Sequence, residues 1–282
     1  MKAKIRLAVI ELLSRTLGII LIKVYPNKAN ELAKNGMTLV LKGKLNFTER
    51  LMRRALLNKV EKDKNHELLS KLHQNYWVKK GDEFFDSNDD SFHKNFLPDC
   101  SFIFNVLKDE LEKNTLKLHT IVEIGTGNGK VLNYLSNEFP EVKSLIGIDL
   151  SPIQTEKNSL NFKNNNKLKF IASDGLDWVK NYGRSNTIFV TSRGVLEYFT
   201  ENNLKNLLKE IKNLGTVVFV AIEPNDINHN FYKNPNSIPY GSERSFSHNY
   251  SKLFKEAGFA LWHESDKIFS KHVKQKFIIA KG

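Results

Sequence analysis

Three glycines at alternate positions, Gly125, Gly127 and Gly129, stand in the stretch TIVEIGTGNGK at residues 120–130. Glycine is needed where the backbone turns through positive φ or where a ligand must approach the main chain closely. Ile121, Val122 and Ile124 before the turn read as a strand. Val131, Leu132 and Leu135 after it have helical spacing. A helix start offers free N–H groups to a ligand. Two acids follow in comparable places. Asp149 closes the apolar run Leu145-Ile146-Gly147-Ile148, about 20 residues on, where a carboxylate can accept both hydroxyls of a ribose. Asp174 follows Lys169-Phe170-Ile171-Ala172 and Ser173, where a second acid can accept from an adenine amino group. The glycine spacing is G-x-G-x-G, with Lys130 where a dinucleotide fingerprint G-x-G-x-x-G has its third glycine.

On these motifs, residues 116–282 resemble the class I S-adenosylmethionine-dependent methyltransferases: VEIGTGNG looks like the first motif of that superfamily, IGIDLSP the second and ASDG the third. The resemblance implies S-adenosyl-L-methionine as cofactor and S-adenosyl-L-homocysteine as product. It implies that Gly125, Gly127 and Gly129 wrap the methionine part, with Asp149 on the ribose and Asp174 on the adenine. Glu123 is implied to support the turn by binding its backbone N–H groups. Thr126, Leu150, Ser173, Gly175 and Ser192 fall at cofactor positions of the same motifs. A nicotinamide-dependent oxidoreductase is the competing class, disfavoured by the glycine spacing and Lys130.

Methyl transfer is an in-line attack on a sulfonium methyl group. It asks for positioning and for removal of a proton from a hydroxyl or amine acceptor. The candidate bases are His248, in a polar, aromatic insertion at 226–249, and Glu223, at the end of the fifth strand. A loop histidine more commonly binds backbone. After the fourth strand the chain reads Thr191-Ser192-Arg193-Gly194. This is neither the Asn-Pro-Pro-Tyr-like motif of enzymes that methylate amines or bases nor the metal-binding acids of catechol-type enzymes. The reading is therefore O-methylation of a small molecule or sugar, which could be lipid- or glycan-linked, with no metal. The alternatives are a catalytically inactive cofactor-binding module and an N-methyltransferase acting on a small molecule or protein.

The elements that must position these residues alternate: strands at 121–124, 145–149, 168–172, 187–191 and 217–222, with helices at 130–138, 152–163, 176–181 and 250–257. Two terminal strands at 259–264 and 276–280 make seven. Alternation argues for an α/β, Rossmann-like, mostly parallel sheet covered by helices on both faces, with ligand at the carboxyl ends of the strands. Residues 1–115 are expected to form a helical, basic N-terminal extension and 116–282 the catalytic domain. Residues 75–98, rich in Tyr, Trp, Phe, Asp and Glu and including His93 and Asp89, read as an irregular loop or lid rather than a helix.

Charge is concentrated at the start. Residues 1–60 carry 13 Lys and Arg against three acids (Glu11, Glu31 and Glu49), whereas the other 222 residues carry 30 against 28. Such asymmetry fits an anionic membrane surface or a phosphorylated substrate; nucleic acid is disfavoured because no aromatic-rich strand or basic repeat accompanies it. Residues 5–24 are mostly apolar but carry Glu11 and Arg15 in their middle, a poor spanning helix. On a helical wheel Lys4, Glu11, Arg15 and Gly18 form one stripe. Such a helix is buried against protein, including a second subunit in a homodimer, or lies in a membrane interface. A second helical stretch, 47–75, carries Arg50, Arg53, Arg54 and Lys59 on what reads as a solvated face. The single cysteine, Cys100, excludes an internal disulfide framework and fits a reducing compartment. The expected location is cytoplasmic, or peripheral at the inner face of the membrane.

Overall fold

Apolar residues recur at helical spacing before residue 80 and at strand spacing after residue 120, and two compact units form on those lines. One comprises Met1–Lys80 with Pro239–Ser245, the other Gly81–Ile238 with Phe246–Gly282. The division lies upstream of the 115/116 boundary expected from the motifs. The structure, a computed structural model, describes residues 9–35, 45–88 and 90–282; Lys2, Lys4, Arg6 and Asp89 lie outside the described residues.

In the first unit, residues 9–13 are helical and run through a wider π-helical turn (Ser14–Gly18) into α1 (Ile19–Val24). Pro26 opens α2 (Pro26–Lys34), as a residue with no N–H to leave unpaired. Asn46 starts α3 (Phe47–Lys62) with a capping box: its side chain accepts from the Glu49 N–H, and Glu49 accepts from the Asn46 N–H, both at 2.9 Å. Gly18 packs directly on α3, where an added Cβ would lie 2.8 Å from the Leu51 carbonyl oxygen. Ala29, Leu32 and Met52 form a small core with Leu21, Ile22 and Leu56 packed against it.

Three expectations for this region need correction. The helical stretch at 47–75 is broken at 63–65. There Lys64 takes a left-handed φ of 51° and the Asn65 side chain accepts from the Leu68 N–H, starting α4 (His66–Ser87). The segment read as an irregular lid is therefore helical as far as Ser87, because buried Leu69, Leu72 and Tyr76 hold a helical stripe and no proline interrupts it. The expected solvated basic face also differs. Arg54 Nε lies 2.9 Å from Glu11 Oε2, and burial pushes Arg53 down to about 10.

The second unit is built outward from its most buried strands. Short α5 (Leu97–Cys100) and α6 (Phe102–Lys113) lead into β1 (Thr120–Ile124), α7 (Lys130–Glu138), β2 (Ser144–Asp149) and α8 (Pro152–Asn161). Then come β3 (Leu168–Ala172), α9 (Gly175–Tyr182), β4 (Thr187–Ser192), α10 (Glu201–Asn213) and β5 (Val217–Asp226). A two-stranded ribbon, β6 (Ile238–Tyr240) and β7 (Ser245–Ser247), of which Pro239–Ser245 belong to the first unit, precedes α11 (Tyr250–Glu256), β8 (Ala260–Ile268) and β9 (Val273–Lys281). The seven-stranded sheet has the order β3-β2-β1-β4-β5-β9-β8. Its first five strands are parallel, and β9 and β8 are antiparallel additions.

Alternation divides the core by faces. Ile121, Ile188, Val218 and Val220 pack with Phe104, Leu107, Leu132 and Leu135 on one side. Val122, Phe189, Phe219 and Ala221 pack with Leu204, Leu207, Leu208 and Ile211 of α10 on the other. A period of two places successive side chains on opposite faces, and both faces are covered by helices. The strand order reverses between β1 and β4, which opens a crevice at the carboxyl ends of those strands.

Candidate active site at the carboxyl ends of the strands

All three glycines of the β1 turn are left-handed, with φ of 70°, 54° and 73° at Gly125, Gly127 and Gly129. An L-residue there is strained, and there is no space for one. A Cβ on Gly125 would lie 2.6 Å from Val195, on Gly127 2.5 Å from the Phe85 ring and on Gly129 2.8 Å from the Phe170 ring. The Gly125 and Thr126 N–H groups both donate to the Ile148 carbonyl, at 2.8 and 2.9 Å. Asn158 Nδ2 donates to the Gly127 carbonyl at 2.7 Å, so α8 fixes the middle of the turn.

Asp149 lies beside that turn. Its Oδ2 accepts from the Gly127 N–H and its Oδ1 from the Ser151 N–H, both at 2.9 Å. Desolvation pushes its pKa up to about 6, opposed by the N–H groups of Ser151, Gly127 and Leu150. Each carboxylate oxygen still has accepting capacity. Asp174 caps α9 with one oxygen: Oδ1 accepts from the N–H groups of Leu176 (2.8 Å) and Asp177 (3.2 Å). Its Oδ2 makes no hydrogen bond among the described residues. Next to it, the Ser173 N–H donates to the Asp149 carbonyl at 2.9 Å. Gly175 is buried beneath Ile124, and Leu150 is half-buried. Glycine turn, Asp149 and Asp174 thus stand at the ends of three adjacent strands, β1, β2 and β3.

Glu123 is fully buried, but its partners are not the ones expected. Oε1 accepts from Ser192 Oγ at 2.5 Å and Oε2 from Thr126 Oγ1 at 2.7 Å. The turn's N–H groups go instead to Ile148 and Asp149, whose strand lies alongside. Glu123 is a strut joining the ends of β1 and β4, and burial raises its pKa to about 7.

The two candidate bases differ sharply. His248 is fully buried with both ring nitrogens engaged, Nδ1 with Ser237 Oγ at 2.6 Å and Nε2 with the Leu196 carbonyl at 3.1 Å. Burial lowers its pKa to about 4, so it is neutral at pH 7 and braces the turn after β4. Glu223, at the end of β5, accepts with Oε2 from the N–H groups of Val195 (3.0 Å) and Leu196 (3.1 Å). Among the described residues its buried Oε1 makes no hydrogen bond, and neither does the buried hydroxyl of neighbouring Thr191, which still favours the charged carboxylate. Burial, with a repulsive contribution from Glu197, raises Glu223 to about 8.

Sequence reasoning missed Phe85, Val195 and Asn158 as neighbours of the glycine turn. Phe85 sits one helical turn after Gly81, next to a pair of acids at i and i+4. Of these, Asp86 and Asp82 meet Lys157 of α8 at 2.9 and 3.4 Å. That spacing was a readable signal for a helix bearing on a basic partner. Arg193 was also passed over. It holds a left-handed φ of 65°, places its guanidinium 5.1 Å from the Phe269 ring centroid and approaches Ser91 Oγ at 3.3 Å.

This fold, with a ligand crevice at the switch in strand order and a glycine turn followed by two strand-end acids, defines the class I methyltransferase architecture. Residues 121–215 match the family described as Methyltransferase domain. An S-adenosylmethionine-dependent methyltransferase from Clostridium acetobutylicum ATCC 824 superposes with a TM-score of 0.50 at 14% identity, over 71% of this chain and 99% of that one. Phospholethanolamine N-methyltransferase 2 of Haemonchus contortus superposes with a TM-score of 0.53 at 12% identity, over 71% of this chain and 57% of that one. No curated protein sequence matches the chain. Residues 121–215 thus match a methyltransferase domain, and the chain shares the fold of these two structures.

Proposed function

We propose that the protein transfers a methyl group from S-adenosylmethionine to a hydroxyl of a small-molecule or sugar acceptor, one that could be carried on a lipid or glycan. In this reading Gly125, Gly127 and Gly129 leave room for the methionine part of the cofactor. Asp149 offers its remaining lone pairs to the ribose hydroxyls, and Asp174 offers its free oxygen to the adenine amino group. Thr126, Leu150, Ser173, Gly175 and Ser192 complete the lining, with Glu123 holding Thr126 and Ser192 in place. The bound cofactor supplies an electrophilic methyl group on a sulfonium. Residues 116–282 would be the catalytic domain, and Phe85, over Gly127, supports a lid role for the segment around it.

The observation that carries the choice of acceptor is Glu223. A hydroxyl keeps its proton at neutral pH and needs a base in the transition state, whereas an amine can lose its proton to water beforehand. Glu223 has a pKa near working pH and, among the described residues, one oxygen without a hydrogen bond, at the end of β5. His248 has no ring nitrogen to offer. The test is incorporation of labelled methyl from S-adenosylmethionine into panels of sugars, lipid-linked sugars and small phenols, beside matched amines. Labelling of hydroxyl acceptors that is lost in Glu223→Gln supports the reading. Labelling of amines alone overturns O-methylation.

A further inference from the structure

The N-terminal helix turns much of its apolar surface outward. Glu11 faces its own unit, meeting Arg54 at 2.9 Å and accepting from Asn58 Nδ2 at 2.8 Å, and Ser14 and Gly18 are buried, whereas Arg15 is exposed. Its apolar side faces away. Val9, Leu12, Leu17, Ile19, Ile20 and Val24 are each between 40% and 64% exposed, and Tyr25 follows at 57%. A soluble helix normally buries its apolar stripe and leaves its polar one to water, and runs of exposed large apolar residues mark an interaction surface.

The charge beside this face selects its partner. The three acids of residues 1–60 are all engaged in ion pairs: Glu11 with Arg15 and Arg54, Glu31 and Glu49 with Lys28. Residues 1–60 carry ten more basic than acidic residues, and Lys23 lies exposed on the helix itself. Among the described residues no helix is long and apolar enough to cross a membrane. An apolar face flanked by lysine and arginine is the pattern of a helix lying in the plane of an anionic bilayer.

We propose that residues 9–25 dock the protein on an anionic lipid surface, with Leu12, Ile20 and their apolar neighbours in the headgroup–acyl boundary and the adjacent lysines and arginines on the headgroups. Docking of this kind brings the enzyme to substrates held at a membrane. It does not depend on the hydroxyl-acceptor reading, because the residues concerned are remote in sequence from the glycine turn and the strand-end acids.

The test is flotation of the full chain with vesicles of phosphatidylcholine alone and of equal parts phosphatidylcholine and phosphatidylglycerol, for wild type, Leu12→Glu with Ile20→Glu, and Lys23→Glu. The expected result is binding to the anionic vesicles and not the neutral ones, weakened by salt. The double substitution should lower it by on the order of tenfold or more, and Lys23→Glu by a smaller factor. All the substituted side chains are exposed, so circular dichroism and the thermal midpoint should stay at the wild-type values. Three results would overturn the proposal: no binding by wild type, binding unchanged in the double variant, or a dimer in sedimentation that the double variant dissociates without any vesicle binding. The last would assign the face to a second copy of the chain.

Discussion

The Gly127 N–H donates to Asp149 Oδ2 at 2.9 Å, so the middle of the β1 turn and the acid that ends β2 form one piece. In the proposed site the carboxylate that would bind the ribose also sets the shape of the turn that would hold the methionine part, so one hydrogen bond organises both. Pre-organisation of this kind removes an ordering cost from binding.

Gly127→Val tests the turn. Its φ of 54° is strained for any L-residue, by roughly 1–2 kcal/mol, and the Phe85 ring already fills the space a side chain would need. Affinity for S-adenosylhomocysteine should fall by on the order of tenfold or more on these grounds. Adding Phe85→Ala relieves the clash but not the backbone, so the double variant should recover only part of the loss. Isothermal titration of both variants measures this.

Glu223→Gln and His248→Gln should fail in different ways. The first removes the proposed base. Turnover should drop by about 10²–10⁴-fold, with cofactor affinity kept and the alkaline rise of the pH–rate profile gone. The second breaks a buried bridge between Ser237 and Leu196 and should cost about 1–3 kcal/mol of stability, with the shape of the pH profile unchanged. Turnover profiles and thermal midpoints of the two variants, side by side, separate base from brace.

The buried acids also predict how stability follows pH. Glu223, Glu123 and Asp149 have folded-state pKa values raised from 4.5, 4.5 and 3.8 to about 8, 7 and 6. As pH falls from about 8 to about 6.5, the folded chain takes up protons that the unfolded chain does not, so stability rises. Below about 6.5 the unfolded state protonates His248, which is held near 4 in the fold, and this group opposes the gain. The thermal midpoint of the ligand-free protein should therefore climb as the buffer is taken from pH 8 to 6.5. Glu223→Gln should flatten that climb, and a midpoint that falls over this range would contradict the assigned environments.

The sheet and the three motifs were legible because each depends on residues close in sequence. The glycine turn follows its own strand, Asp149 and Asp174 end theirs, and the alternation of strand and helix follows from local apolar spacing. What escaped needed contacts across the chain. Glu123 turned from the turn's N–H groups to Ser192, which lies 69 residues away and becomes a neighbour only when β1 pairs with β4. His248 is disqualified as a base by Leu196, 52 residues away. The break at 63–65 rested on an Asn65 cap that a helical reading of the apolar positions overrides. The apolar side of the N-terminal helix was visible in the sequence, but its outward direction was not, because that depends on Arg54 and Asn58 drawing Glu11 inward.

The most direct test of the account is calorimetric titration of S-adenosylmethionine and S-adenosylhomocysteine into wild type, Asp149→Ala and Asp174→Ala. The prediction is saturable one-to-one binding to wild type, with near-complete loss in Asp149→Ala, where both the ribose acceptor and the Gly127 anchor are gone. Asp174→Ala should show a smaller loss, together with a lower thermal midpoint from the uncapped α9. Binding to Asp149→Ala as tight as to wild type would contradict the assignment of the site.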